Sequence, residues 1–505
     1  MRDYTVSGKN TSNAIYNDSN EIFVYKRSGA SYNLPFRTES SLPAPRRTEV
    51  FPVPPHGGKL FSEGGCRMSN PALFQTMTKG FDLAQAIAEA DRCLLCHDPP
   101  CSKGCPADTD PGTFIRKLRL HNVTGAIRTI KSNNILGGAC GVLCPTPRLC
   151  EKECSATGIS RPVEIGRIQR ALVEHGWTIG FQPLSALPKN RGKVAVVGSG
   201  PAGLSCAAEL AREGFAVTVF EERAEPGGVI RYGVPAYRFD KAFLSHEMAD
   251  LEHLGVELVC GTRIDGGTGA RKLLQQGFKA VFLGPGLWAA DRISGGENVK
   301  GVLTSVEFLA VMREERFAEI GRQVEGKTVA VIGGGSVAMD CVETAAKLGA
   351  RDAYLVYRRS FAQMPAEEEE RLAALRLGVH FLVLNQPLGY SVDEGGSLTG
   401  LKLVRTQLGE PDASGRRKPV PIKGSEWTLE AQLAIEAIGN RPDPADWSGL
   451  VKTDGGRLIL VDETSGKTST AFVYAGGDIA RGAGLVVEAV QDGKRAARAI
   501  REALA

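Results

Sequence analysis

The spacing of apolar residues changes twice along this chain. Over residues 1 to 78 neither a period of 2 nor one of 3.6 persists; the stretch is polar and carries SSLPAPRR and FPVPPHGG, which predicts an irregular, extended arm. From FDLAQAIAEADRC (81–93) apolar residues recur at helical spacing, and PGTFIRKLRLHNVTGAIRTIKSNN (111–134) predicts two further amphipathic helices. Past a linker rich in Pro, Lys and Arg (QPLSALPKNRG, 182–192) strands and helices alternate. KVAVVGSG, PAGLSCAAELAREG and FAVTVFEE read strand, helix, strand; KTVAVIGGG, SVAMDCVETAAKLGA and AYLVYRR repeat that order. The predicted fold class is α/β, with two Rossmann-like dinucleotide-binding domains preceded by an α-helical domain.

Length agrees with several domains, since 505 residues exceed the ~250–300 at which single cores stop growing. The 61 Lys and Arg against 57 Asp and Glu leave a net charge of +4, too balanced for a polyanion-binding surface, so no nucleic-acid partner is expected. No apolar run approaches the ~18 residues of a membrane span, and MRDYTVSGKNTSNAIYNDSN lacks the features of a signal peptide. The expected location is the cytoplasm, with no membrane partner.

In VAVVGSGPAGL the glycines Gly198, Gly200 and Gly203 follow a strand and open a helix. The first permits a tight turn, the second a close approach of backbone to pyrophosphate, and the third close helix–strand packing; the helix start then offers unpaired N–H groups to the phosphates. Glu221, closing the next strand, is placed for ribose hydroxyls. The second turn, VAVIGGGSVAMD, has Gly333, Gly335 and Ser336, with Ala338 in the third position. Its next strand ends in Arg358 and Arg359 where an acid would favour NAD, so a 2′-phosphate and NADPH are expected, NADH remaining possible. The competing reading is that these arginines cap the strand or pair with EEEE (367–370).

The C-terminal VYAGGDIARGAGLVVEAVQDGKRAARAI (473–500) resembles the closing motif of two-dinucleotide flavin oxidoreductases. That resemblance assigns FAD to Gly198, Gly200, Pro201, Ala202, Gly203, Glu221 and Gly228 with Gly477 and Asp478, and the nicotinamide nucleotide to Gly333, Gly335, Ser336, Arg358 and Arg359. The FAD domain is then split by the NAD(P) domain, and VFLGPG (281–286) and AIEAIGNRPDP (434–444) look like the crossing strands between them.

Twelve cysteines are present, eight of them between Cys93 and Cys154. Cys66, Cys206, Cys260 and Cys341 are scattered and read as small, partly buried residues. In a reducing compartment the clustered eight favour metal over disulfides. Zinc suits Cys-x2-Cys as well as iron does, but beside two redox nucleotides iron–sulfur clusters are expected, because zinc passes no electrons. A zinc-stabilised, non-redox binding module is the alternative from another class. His97 reads as a solvated loop residue.

RCLLCHDPPCSKGCPADTDPGTFIRKL, NNILGGACGVLCPTPRLCEKEC and PVEIGRIQR together resemble the electron-input half of the dihydropyrimidine dehydrogenase family, with the glutamate synthase small subunit as a more distant cousin. The resemblance runs from about residue 78 to the end. It implies two 4Fe-4S clusters, one on Cys93, Cys96, Cys101 and Cys154, the other on Cys105, Cys144, Cys150 and Gln169, with Cys140 left over. After the irregular arm at 1–78, the expected domains are 79–182 (clusters), 190–322 (FAD, first part), 323–435 (NAD(P)) and 436–505 (FAD, second part), the split of the FAD domain being what the resemblance implies. The implied activity is oxidoreductase: electrons pass from NAD(P)H through FAD and the clusters to an FMN-containing partner that reduces uracil or thymine to the 5,6-dihydro form, with no acid or base catalyst in this chain. Donation to glutamate synthase or another reductase is the alternative. One departure from the family is Asp240 in YRFDK (237–241), where a proline is usual.

Overall fold

The computed structural model describes residues 77–505, apart from 315, 413–414, 443–446 and 456–457, together with two short strands near the N-terminus. Contacts divide the chain into Met1–Gly65 and Cys66–Ala505. In the first unit β1 (Ala14–Tyr16) and β2 (Ile22–Val24) pair antiparallel. The rest of the expected arm, up to residue 76, lies outside the described residues.

The second unit begins with helices whose ends are written in the sequence. At α1 (Leu83–Ala90) the Asp82 carboxylate accepts from the Gln85 N–H at 2.8 Å while the Gln85 side chain accepts from the Asp82 N–H at 3.0 Å, a reciprocal cap. Asp110 caps α2 (Pro111–Arg119), which opens on proline, and Asn122 caps α3 (Val123–Asn133). The expected helices of 81–93 and 111–134 are therefore present. Two more, α4 (Gly137–Leu143) and α5 (Ile165–Thr178), cross so closely that a Cβ on Gly141 would lie 2.9 Å from the Gly166 carbonyl oxygen. Phe114, Leu118, Ile127, Ile168 and Leu172 close this helical core.

Strands and helices alternate from there: β3 (Lys193–Val197), α6 (Pro201–Arg212), β4 (Ala216–Phe220), α7 (Lys241–His253), β5 (Glu257–Val259), β6 (Ala280–Leu283) and the short β7 (Ala289–Ala290). Next come β8 (Val302–Thr304), α8 (Ser305–Arg313), β9 (Thr328–Ile332), α9 (Ser336–Lys347), β10 (Asp352–Tyr357) and β11 (His380–Val383). An antiparallel meander of β12 (Asn385–Val392), β13 (Leu398–Pro411) and β14 (Arg417–Glu430) precedes β15 (Leu433–Glu436), β16 (Asn440–Arg441), β17 (Val473–Ala475) and the long α10 (Val486–Ala503).

Two parallel five-stranded sheets result, ordered β17-β6-β3-β4-β5 and β11-β10-β9-β15-β8. The first recruits β17 from the far end of the chain, so the second sheet is inserted between β6 and β17. β8 and α8 lie before residue 323, yet β8 pairs with β15 (Val302↔Ala434) and α8 packs in the second core, so that domain begins about twenty residues earlier than its glycine turn suggests. The crossing strands are β7, just beyond VFLGPG (281–286), which instead closes β6, and β16, which lies within AIEAIGNRPDP (434–444) as expected, the start of that segment completing β15. Asp240 caps α7 through its carboxylate, which accepts from the Ala242 N–H at 2.7 Å. No helix among the described residues is long and apolar enough to cross a membrane.

Helical domain and first sheet share one apolar core, which takes in Ala107, Leu136, Ala139 and Cys140. A buried charge group locks them together. Lys131 on α3 pairs with Asp250 at 2.8 Å and Glu247 at 3.2 Å on α7, and Glu247 accepts from the Gly138 and Ala139 N–H groups that open α4. Removing one member leaves charge and donors buried without partners. Glu247→Ala is expected to destabilise the folded chain by about 3 kcal/mol or more, read as a fall in melting temperature, whereas the exposed Glu319→Ala, which breaks a surface pair with Arg316, leaves that temperature in place.

Candidate redox site

The first glycine turn is too tight for side chains at two of its positions. Gly198 has φ +93°, and a Cβ there would lie 2.4 Å from the Gly284 carbonyl oxygen; a Cβ on Gly203 would lie 2.0 Å from that of Gly198. Gly200 is the opposite case, with nothing within 4 Å of where a Cβ would stand, so the start of α6 at Pro201 is open to a ligand. Gly228, at φ +52°, folds back on it: a Cβ would come 2.6 Å from the Gly200 Cα. Glu221 is buried beside the turn, its carboxylate accepting from the Ser199 N–H at 3.0 Å, the Ser199 hydroxyl and the Arg223 N–H at 2.9 Å.

The C-terminal motif closes this cradle. Gly477 has φ +74°, and a Cβ would stand 2.9 Å from the Ala202 side chain. Its N–H donates to Asp492 at 2.9 Å, and Asp492 also accepts from Arg481 at 2.7 Å. Burial pushes the Asp478 carboxyl up to about 6, partly opposed by the Gly484 N–H and Arg481. The structure thus brings Gly198, Gly200, Pro201, Ala202, Gly203, Glu221, Gly228, Gly477 and Asp478 around one helix start. A crowded turn, an open helix terminus and an adjacent buried acid fit a dinucleotide. Asp492 was missed by sequence reading, where it looks like any helix-surface acid.

The second turn repeats the geometry. A Cβ on Gly333 would lie 2.3 Å from the Ala437 carbonyl oxygen, and Ala338 fits where the first turn needs glycine. Gly335 caps α9, whose first residue is Ser336, and the nearest atom to a Cβ there is 3.9 Å away. The two arginines differ. Arg359 is buried, donating to Asp412 at 2.7 Å and to the Arg417 carbonyl at 2.9 Å, so it ties the β13–β14 hairpin to the end of β10. Arg358 points to solvent. Sequence reading counted both toward a 2′-phosphate; of the two only Arg358 is exposed, and Arg359's partner lies in the meander rather than in EEEE. Arg238 on the approach to α7 was also missed; it pairs with Asp340 on α9 at 2.8 Å and with Glu370 at 3.0 Å.

The eleven described cysteines are all unpaired. Cys93, Cys96, Cys101 and Cys154 line one small pocket open to solvent, with Arg116 and Pro99 on its wall. Leu95, at φ +53°, makes the sharp bend between the first two thiols. Burial and the neighbouring Cys154 and Cys93 push the Cys101 thiol up to about 12. The second group is Cys105, Cys140, Cys144 and Cys150. Cys144 is raised by a hydrogen bond with Cys140 and by burial, and Cys150 by burial, Glu151, Cys105 and Cys101, which makes Cys101 and Cys150 the point where the groups adjoin. Asn134 donates its amide to the Cys140 sulfur at 3.2 Å.

Gln169 is buried on α5, and its amide N–H donates to the Gly137 carbonyl at 2.6 Å, which orients the amide and leaves its oxygen as the free acceptor. Near Cys105, the Thr109 hydroxyl is buried without a nitrogen or oxygen partner, and burial pushes the Cys105 thiol up while the polar groups of Thr109 and Ala107 oppose it. Such polar groups fit a sulfide-bearing group. The cores divide the thiols differently from the two groups: Cys105, Cys140 and Cys144 pack with the core of the first sheet, whereas Cys150 packs with Cys93, Cys101 and Cys154 against the helical core.

Comparison with known proteins follows this division. The family "dihydropyrimidine dehydrogenase domain II, 4Fe-4S cluster" matches residues 70–180, and "pyridine nucleotide-disulphide oxidoreductase" matches residues 192–493. The glutamate synthase (NADPH) small chain of Escherichia coli strain K12 is 35% identical over 446 residues, 85% of this chain and 93% of that one. The NAD-dependent dihydropyrimidine dehydrogenase subunit PreT of Salmonella typhimurium is 35% identical over 429 residues, 84% of this chain and 95% of that one. Among solved structures, FprA of Mycobacterium tuberculosis in complex with NADPH shares the fold at a TM-score of 0.53 and 19% identity, over 63% of this chain and 84% of its own. A cluster-binding helical domain joined to a reductase body with two nucleotide cradles therefore places the chain in the pyridine nucleotide-disulphide oxidoreductase family, among the FAD-, NAD(P)- and 4Fe-4S-binding subunits that include PreT and the glutamate synthase small chain.

Proposed function

We propose that this chain is the electron-input subunit of a cytoplasmic pyrimidine reductase, drawing on NAD(P)H and feeding an FMN-containing partner that reduces uracil or thymine to the 5,6-dihydro form. The observation that carries the reading is the position of the two thiol groups. Cys105, Cys140 and Cys144 pack in the core that also holds the first dinucleotide cradle, Cys93, Cys96, Cys101 and Cys154 line a pocket in the helical domain beyond it, and Cys150 lies between the two. Bound FAD supplies the conversion from hydride to single electrons, which iron–sulfur clusters carry.

The residues of the chain position and insulate. Gly200 and the start of α6 hold pyrophosphate, Glu221 the ribose, and the Gly477–Asp478 turn the remaining part of FAD. Gly333, Gly335 and Ser336 hold the nicotinamide nucleotide, with Arg358 turned to a 2′-phosphate, so NADPH is the preferred donor and NADH the competitor. Cys93, Cys96, Cys101 and Cys154 ligate one cluster; Cys105, Cys144, Cys150 and Gln169 ligate the other. The Cys96-x4-Cys101 spacing and the Asp110-Pro111 helix start support the pyrimidine assignment, as does the likeness to PreT. Donation to glutamate synthase is the second reading, favoured by equal identity to that enzyme's small chain.

Three outcomes are expected. Anaerobic oxidation of NADPH by the tagged chain, purified with whatever binds it, requires uracil and is lost when the partner is stripped; turnover with glutamine plus 2-oxoglutarate instead, and silence with uracil, moves the chain to the second reading. Iron and sulfide analysis finds Cys154→Ser reduced to about half of the wild-type content while Cys140→Ala keeps all of it. In flavin-reduction kinetics Arg358→Ser raises the KM for NADPH about tenfold, the loss of one charge-assisted contact of roughly 1.5 kcal/mol, and leaves that for NADH unchanged.

A further inference from the structure

One buried cation has no place in that account. Lys494 lies on α10, one residue after Gly493, where a Cβ would sit 2.2 Å from the Ala202 carbonyl oxygen at the start of the FAD cradle. Its side chain leaves the first domain and enters the helical one. Although only 6% exposed, the ammonium donates to the Ala107 carbonyl, two residues past Cys105, and to the Asn133 carbonyl at 2.7 Å. One helical turn on, Arg498 pairs with Asp108 at 3.3 Å, so α10 grips the Cys105 turn twice.

Both carbonyl contacts adjoin the second set of thiols. Ala107 lies two residues past Cys105, and Asn134, next to Asn133, donates to Cys140. The charged groups facing Lys494 are Glu209, Asp108, Arg498 and the Cys105 thiol; burial pulls its pKa down while Glu209 and Asp108 hold it up. Two carbonyl acceptors and two carboxylates favour the ammonium form. A unit positive charge in this dry interface acts through a low dielectric on whatever charge the Cys105 group acquires.

We propose that Lys494 is an electrostatic positioning residue for the second iron–sulfur cluster, its buried ammonium raising the reduction potential of the cluster held by Cys105, Cys144 and Cys150. A cluster held there would take up one electron from the reduced flavin that the NAD(P)H-dependent reading supplies, making the site more negative by one charge, and would pass it to the next acceptor on oxidation; the Lys494 ammonium would offset that charge. Net charge and hydrogen bonding around cluster sulfurs are known levers on such potentials. Lys494 supplies the first from a helix that also builds the FAD cradle. This inference rests on the reading that the Cys105 group holds a cluster.

The test is an EPR-monitored redox titration of the full chain, prepared anaerobically, as wild type, K494Q and K494R. Signals are assigned with Cys154→Ser, which lacks the first cluster. At fixed ambient potential the reduced-to-oxidised ratio of the second cluster is expected to fall about tenfold in K494Q, equivalent to ~59 mV for one electron, and to stay within about threefold in K494R. The first cluster stays within about threefold throughout. A second-cluster ratio unmoved in K494Q, an equal fall in K494R, or an equal shift of both clusters would overturn the proposal. Iron and sulfide are measured first. If K494Q lacks the second cluster, K494M replaces it; loss in both with retention in K494R also overturns the proposal, because Lys494 then serves assembly. A wild-type chain with iron for one cluster alone removes the underlying reading instead.

Discussion

The contact between Gly493 and Ala202 is the one on which the rest of this molecule depends. With no side chain at 493, α10 lies directly on the start of α6, where a Cβ would stand 2.2 Å from a backbone oxygen. That crossing seats the β17 turn on the cradle, so Gly477 meets Ala202, and it completes a sheet whose other strands were formed far earlier in the chain. It also directs Lys494 and Arg498 onto the Cys105 turn. A single close approach thereby joins the two ends of the FAD domain and fixes both against the thiol-bearing helices.

The other domain joints are built on the same principle, with cations buried on main-chain oxygens. Lys131 donates to the Ile135 carbonyl as well as pairing with Asp250 and Glu247. Arg313, fully buried on α8, donates to the carbonyls of Arg231, Phe239 and Ile230, gripping the segment that leads from the first cradle into α7. Burying such charges is costly, and apolar replacements of similar volume are often as stable. What these arrangements provide is directional geometry: each joint has one arrangement that satisfies its donors. For a chain that hands electrons between separate groups, fixed separations matter more than extra stability.

The thiols show why the redox groups and the fold belong together. Burial, with neighbouring thiols, pushes Cys93, Cys101, Cys105, Cys144 and Cys150 upward, Cys101 to about 12. Ligation needs thiolates, so assembly of the clusters releases protons and turns that crowding into bonds. The protein has prepared the surroundings, with the polar groups of Thr109 and Ala107 at Cys105 and an oriented amide at Gln169.

By itself the sequence determined whatever depends on neighbours along the chain: the glycine turns, the capped helices at Asp82, Asp110 and Asn122, the two α/β repeats and the cysteine spacing. These are local because a positive φ, a cap or a ligand loop is decided within a few residues. Tertiary structure decided the rest. It separated Arg358 from Arg359, since only the distant Asp412 makes one of them structural. It drew β8 and α8 into the second domain through pairing with β15, and put Cys154 with three thiols some fifty residues upstream while Cys150 faces the other group. Gln169, Asp492 and Lys494 look like ordinary helix residues until burial and long-range partners single them out, because the free energy of a buried charge or amide is set by what surrounds it in space.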